Sequence, residues 1–249
     1  MTKRLSNKVA LVTGGSRGIG AAIARQLADD GADVVLSYVN SADKAKALVR
    51  ELQDKGVRAA AFRADQASAV EVRGLVEQTL EAFGRLDILV NSAGVFVTGT
   101  PGDPANDEAA LERQYAINVG GVVAAVHAAA PHLPPGGRII NIGSTLGTRT
   151  PFAGLADYSA GKAAVAAYTR GWARDLGSKG ITVNTVQPGP IDTDMNPADG
   201  DFADTARAAV ALGRYGKPEE IAAVVAFLAG PDASYVTGAS IDVDGGFNA

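Results

Sequence analysis

Val9-Ala10-Leu11-Val12-Thr13-Gly14-Gly15-Ser16-Arg17-Gly18-Ile19-Gly20 is the stretch on which the fold turns. Five β-prone residues run into a glycine-rich loop, and an Ala-rich helical pattern follows from Ile19 to about Asp30. Glycines permit a tight turn and a close backbone approach. The start of a helix offers free N–H groups and a positive dipole end, a combination suited to a phosphate group. The spacing is Gly-x-x-x-Gly-x-Gly rather than the Gly-x-Gly-x-x-Gly of the standard dinucleotide fingerprint, so the strand before it and the helix after it carry the reading.

Outward from this unit, strands and helices alternate. Strands are predicted at Asp33–Tyr38, Val57–Arg63 and Leu86–Val90, with helices at Ala42–Asp54 and Ser68–Phe83 between them. One helix is expected from about Asp107 to His132, a strand from Arg138 to Gly143, a long helix from about Asp157 to Gly177 and a strand over Ile181–Val186. An irregular stretch to about Arg214, a helix over Pro218–Ala229 and a strand near Ser240–Val243 complete the chain. The strands are unbroken apolar runs, as in a parallel sheet covered by helices on both faces. The expected fold is therefore α/β: a single-domain, Rossmann-type doubly wound fold over residues 1–249, with a seven-stranded parallel sheet flanked by helices. Pro and Gly punctuate the polar segment Asn196-Pro197-Ala198-Asp199-Gly200-Asp201-Phe202, which suggests a lid over a substrate within residues 190–214.

Composition narrows the function classes. A chain of 249 residues, 47% of them hydrophobic, suits one large domain. A net charge of −4 argues against nucleic acid or an anionic membrane as the main partner. The chain has no cysteine, which excludes disulfides and thiolate chemistry, and its two histidines, His127 and His132, make a histidine metal site improbable, so no metal is expected. The first residues are charged, with no apolar segment after them like that of a signal peptide, and the expected location is cytoplasmic.

Two further patterns carry chemistry. Tyr158 and Lys162 stand four residues apart and share one helix face, and Ser144 follows the strand that ends near Gly143. A phenol beside an ammonium can serve as a proton donor, because a nearby positive charge stabilises the phenolate and lowers its pKa from about 10. The end of the second strand reads Ser37-Tyr38-Val39-Asn40-Ser41, without the acid that would bind a ribose 2′-OH. Arg17 is placed to meet a 2′-phosphate, with Asn40 and Ser41 as hydrogen-bond donors, so the expected dinucleotide is NADP(H).

Taken in order, Thr13–Gly20, Asp65, Asn91-Ser92-Ala93-Gly94, Asn118, Ser144, Tyr158-x-x-x-Lys162 and Pro188-Gly189-Pro190-Ile191-Asp192-Thr193 resemble the classical short-chain dehydrogenases/reductases over essentially the whole chain. Ser92 and Gln187 depart from the residues commonest in that family. The resemblance implies a catalytic tetrad of Asn118, Ser144, Tyr158 and Lys162, with Asn118 holding a water in the proton path. It implies cofactor contacts from Gly14, Ser16, Arg17, Gly18, Ile19 and Gly20, and from Tyr38, Asn40 and Ser41. Asp65 would meet the adenine edge beside Gln66, and Asn91, Ala93 and Gly94 would line the cofactor. Tyr158 and Lys162 would reach the nicotinamide end with Pro188 and Gly189, where Ile191 and Thr193 would fix the carboxamide. Val95, Phe96, Leu146, Phe152 and Met195 fall on the expected substrate side. The implied activity is NADPH-dependent reduction of a ketone or aldehyde, in the neighbourhood of the 3-oxoacyl-carrier-protein reductases, by a homotetramer. The segment Val186–Asp194 with Asn196-Pro197-Ala198 is also similar to reductase-like proteins described as cyclic-di-GMP-binding biofilm-dispersal mediators, which makes a non-catalytic nucleotide-binding regulator the alternative.

Overall fold

A computed structural model describes residues 3–200 and 202–249; Asp201 of the expected lid and the first two residues lie outside the described residues. Seven strands form one parallel sheet: β1 (Val9–Thr13), β2 (Asp33–Tyr38), β3 (Ala59–Arg63), β4 (Ile88–Asn91), β5 (Arg138–Ile142), β6 (Thr182–Pro188) and β7 (Ser240–Val243). Their order across the sheet is β3-β2-β1-β4-β5-β6-β7. The winding reverses between β1 and β4, whose carboxyl ends meet at the Thr13–Asn91 pair. In open parallel sheets, ligands bind outside the strand ends at such a reversal.

The alternation of side chains along each strand divides the core into two layers. Ala10 and Val12 of β1, Ile88 and Val90 of β4 and Ile140 of β5 pack into one layer with α1 (Gly18–Asp29), α2 (Ala42–Asp54) and α8 (Pro218–Ala229). Leu11, Leu89 and Ile139 point the other way, toward α3 (Ala69–Phe83), α5 (Gly121–Ala129) and α6 (Ala156–Gly177). Both faces of the sheet are thus buried, which accounts for the unbroken apolar runs in the sequence. Local chemistry sets the helix ends. Ser68 caps α3 by accepting the Glu71 N–H, and Gly84 ends that helix at φ +77°. Pro218 opens α8, whose Glu220 accepts the Lys217 N–H at 2.7 Å.

Two stretches differ from the sequence expectation. The single helix expected over Asp107–His132 is α4 (Glu108–Tyr115), then a π-helical turn at Ala116–Gly120, then α5. π turns are rare and gather at functional sites, and this one contains Asn118. The stretch expected to stay irregular as far as Arg214 contains a short helix, α7 (Ala203–Ala208), so the segment over the cleft has internal structure.

Candidate active site

The strand ends and the glycine loop border a cavity of about 960 Å³. Gly14 sits at φ +63°, and a methyl group on it would come within 2.7 Å of the Ala93 Cα, so the first loop packs directly on the turn after β4. A methyl on Gly20 would lie 2.5 Å from the Gly14 carbonyl oxygen, which explains why a second glycine is needed where α1 begins. The buried Thr13 hydroxyl joins the two turns by accepting the N–H groups of Ser92 and Ala93, each at 3.1 Å. Thr13→Val keeps the shape and strands both donors, so the unfolding free energy should fall by about 1–3 kcal/mol. Urea denaturation checks this: the midpoint should drop with the slope unchanged, and an unmoved midpoint would contradict the bridging role of the hydroxyl.

Most residues singled out in the sequence stand on the cavity wall. Gly14, Ser16, Arg17, Gly18, Ile19 and Gly20 line one side, Tyr38, Asn40, Ser41, Asp65 and Gln66 one end, and Ala93 and Gly94 the floor. Ser144, Tyr158, Lys162, Pro188, Gly189, Ile191 and Thr193 line the cavity too, with Thr193 beside Gly18. The expected substrate-side residues Val95, Phe96, Leu146, Phe152 and Met195 also line it.

Asn91 is a correction. It was expected on the cofactor side, yet it is only 2% exposed and its amide donates to Asn141 Oδ1 at 2.8 Å, its register partner on β5. Asn141 continues to Thr169 at 2.9 Å, and Thr169 to Thr185 at 2.6 Å, giving a buried polar chain that ties β4, β5, α6 and β6 together beneath the site. The strand's alternation turns Asn91 into that chain and leaves the cavity to the next three residues.

Asn118 also stands behind the wall. Its Oδ1 accepts the Val95 N–H and its Nδ2 donates to the Val95 carbonyl, both at 2.9 Å. The side-chain amide thereby pins the Val95 backbone to the π-helical turn. Asp65 reaches the cavity as expected, but its oxygens already accept the Ala67 N–H and the Arg113 guanidinium, each at 2.9 Å. Burial alone would raise this carboxyl, and those two partners overcome it and hold it below the usual carboxylate range. Arg113 was missed in the sequence because nothing local marks a helical arginine that pairs with a residue 48 positions earlier. Ser37, which accepts the Gly14 N–H at 3.1 Å, and Phe247 on the wall were also missed, while Phe202 of the expected lid stands on the wall.

At the inner end, Ser144 extends from the end of β5 and Tyr158 and Lys162 from the first turns of α6. Ser144 Oγ accepts the Leu146 N–H at 3.1 Å, which directs the hydroxyl hydrogen elsewhere. Lys162 is only 6% exposed and donates to the Ile142 carbonyl at 2.9 Å. Its Nζ lies 5.6 Å from the Tyr158 ring centroid, and the Phe96 ring meets that ring edge-on at 4.9 Å. The electrostatics correct the sequence expectation. Burial pushes the Tyr158 phenol up to about 12, with the Ser144 hydroxyl pulling the other way, and burial holds Lys162 down to about 8. Desolvation is the largest cause of both shifts, and the ammonium is engaged with a backbone carbonyl. Near neutral pH the phenol keeps its proton and the lysine is mostly charged, a state that can release a proton to a developing alkoxide.

With this geometry in hand, similarity to known proteins takes on meaning. Residues 14–248 match the family model described as "Enoyl-(Acyl carrier protein) reductase". The chain is 46% identical over 244 residues, 98% of each chain, to the cyclic-di-GMP-binding biofilm dispersal mediator protein of Escherichia coli strain K12. Among solved structures it resembles a blue fluorescent protein from a metagenomic library in complex with NADPH (TM-score 0.96, 53% identity, 99% of this chain and 100% of that one). It is equally close to a short chain dehydrogenase from Burkholderia cenocepacia J2315 in complex with NADP (TM-score 0.96, 52% identity, the same coverage). The strand order, the glycine turn packed on the β4 turn, and Ser144, Tyr158 and Lys162 at one end of the cleft agree with this kinship: the chain belongs to the classical short-chain dehydrogenase/reductase family of oxidoreductases.

Proposed function

We propose that this chain is an NADPH-dependent reductase of uncharged, apolar ketones or aldehydes. The observation that carries the reading is the convergence of Ser144, Tyr158 and Lys162 at the end of a cleft whose other end is the glycine loop. The cleft suits a dinucleotide: Gly14 and Gly20 keep the turn close-packed where α1 begins, and Arg17 stands on the wall beside a β2 end (Tyr38, Asn40, Ser41) that carries no acid. Bound there, NADPH supplies the hydride. The chain's own residues do the rest. The free hydrogen of Ser144 bonds the substrate oxygen, the protonated phenol of Tyr158 delivers the proton, and charged Lys162 steadies the phenolate left behind.

The walls on the substrate side point to the substrate's character. Val95, Phe96, Leu146, Phe152, Met195 and Phe202 are apolar, and Phe152 meets Phe202 edge-on at 5.3 Å between centroids. Apart from Lys162, the charged residues on the wall (Arg17, Asp65, Arg113 and Asp194) pair with one another or with Lys44 around the glycine loop and the end of β3. The segment 190–214, which carries Met195 and Phe202, serves as the lid. Oxidation of NADPH and of NADH across a panel of alkyl, aryl and β-oxoester ketones tests the reading. Turnover of apolar members with NADPH preferred is the expected result. A second reading, a non-catalytic nucleotide binder, is favoured by the name of the Escherichia coli relative. Tight dinucleotide or cyclic-di-GMP binding without NADPH oxidation by any ketone would decide for that reading and against the enzyme.

A further inference from the structure

Behind the glycine loop lies a second cavity of about 370 Å³, between α1 and α2, and it shares Ser16, Arg17, Gly18 and Asp194 with the wall of the main cleft. Three cations border it: Arg17, Arg25 and Lys44. Arg25 is committed to Glu51, with three hydrogen bonds between 2.8 and 3.0 Å. Arg17 and Lys44 are not: among the described residues their one carboxylate partner is Asp194, whose Oδ2 lies 3.2 Å from Lys44 Nζ and 3.8 Å from Arg17 Nη1. Asp194 belongs to the segment over the cleft, 150 positions from Lys44. All three side chains are largely exposed, so the ion pairs are individually weak and exchangeable.

We propose that Lys44 is a cofactor-selecting residue that binds the 2′-phosphate together with Arg17, and that Asp194 is an internal competitor for the same two cations. This rests on the dinucleotide reading of the cleft given above. A phosphate monoester carries close to two negative charges at pH 7 and three acceptor oxygens, against one charge and two oxygens for the carboxylate. Arg17 can take it bidentately and Lys44 as a point charge. A dinucleotide bearing the phosphate exchanges with Asp194, and one without it leaves the Asp194 pairs in place. The competition sets the margin by which the chain prefers the phosphorylated cofactor, and it couples that choice to the lid through Asp194.

The test is direct titration of the full chain with NADPH and with NADH, in the absence of any ketone. Asp194→Asn should tighten NADPH by about threefold to fivefold, the scale of an exposed ion pair, and leave NADH within about twofold. Lys44→Gln should weaken NADPH by about tenfold, the loss of one charge-assisted contact, again sparing NADH, and Lys44→Arg should restore it. In the Lys44→Gln background the gain from Asp194→Asn should shrink, because the two residues act on one phosphate. Equal shifts for both dinucleotides would make Asp194 a plain lid strap and overturn the proposal, as would an unchanged NADPH-to-NADH affinity ratio in both variants. Failure of the ketone assay leaves these binding results intact, whereas a wild-type chain that binds neither dinucleotide brings down the reading of the cleft and this inference with it.

Discussion

Tyr158→Phe is expected to lower turnover by at least about 10³-fold, within the 10²–10⁴ range of positioned proton donors, while NADPH affinity stays within about twofold. The substitution removes one oxygen and little else. The ring keeps its edge contact with Phe96 and its place over Lys162, so the fold and the cleft should hold. What disappears is the proton that neutralises the alkoxide. Ser144 does not replace it: its hydroxyl can donate a hydrogen bond, but an aliphatic alcohol is a far weaker acid than a phenol. Because burial keeps the phenol protonated up to about 12, the wild-type rate should not fall near neutral pH through loss of this proton. Steady-state rates and a dinucleotide titration on the same preparation check the claim. A variant that retains a tenth of the wild-type rate would remove the phenol from the mechanism.

The elements that were legible in the sequence are those whose limits are set by neighbouring residues. β2, α2, α8 and β7 begin and end where the sequence places them; α8, opened by Pro218 and closed before Gly230, shows how such local residues set a boundary. The glycine loop and the Tyr158–Lys162 spacing are local too, so the two ends of the cleft could be read without a structure. Three kinds of feature could not. The π turn at Ala116–Gly120 has the composition of an ordinary helix, and it carries Asn118, whose amide bonds the Val95 backbone 23 positions earlier. The direction in which Asn91 points depends on strand register, and a one-residue change of face separates a cofactor contact from a buried link to Asn141. The pairs Asp65–Arg113 and Lys44–Asp194 join residues 48 and 150 positions apart, a distance at which side-chain type alone names no partner. The protonation of Tyr158 belongs with these, because desolvation is a property of the packed site and not of two residues on a helix.

Lys162→Met is expected to give a more stable and nearly inactive protein. Lys162 is almost wholly buried, and burial lowers its pKa from 10.5 to about 8. The sign follows from which state holds the proton more tightly. The unfolded chain keeps it up to about 10.5 while the folded chain releases it from about 8, so over that window the unfolded state binds more protons and this group makes the fold more stable as pH rises. Below pH 8 the cost of burying the ammonium is present in full. Methionine has similar length and no charge, and it removes that cost; against this stands the lost hydrogen bond to the Ile142 carbonyl at 2.9 Å. The balance at pH 7 should be a gain on the order of 1–3 kcal/mol, shrinking toward zero or reversing as pH approaches 10. Turnover should fall by about 10²-fold or more, because the phenolate formed during reduction loses its one nearby cation. Denaturant melts of both proteins at pH 7 and pH 9.5 decide the matter. A stability difference that does not change with pH would mean that the buried ammonium costs the fold nothing. Lys162 would then be an ordinary packing residue, and the case for its keeping a charge at the site, at the expense of stability, would fail.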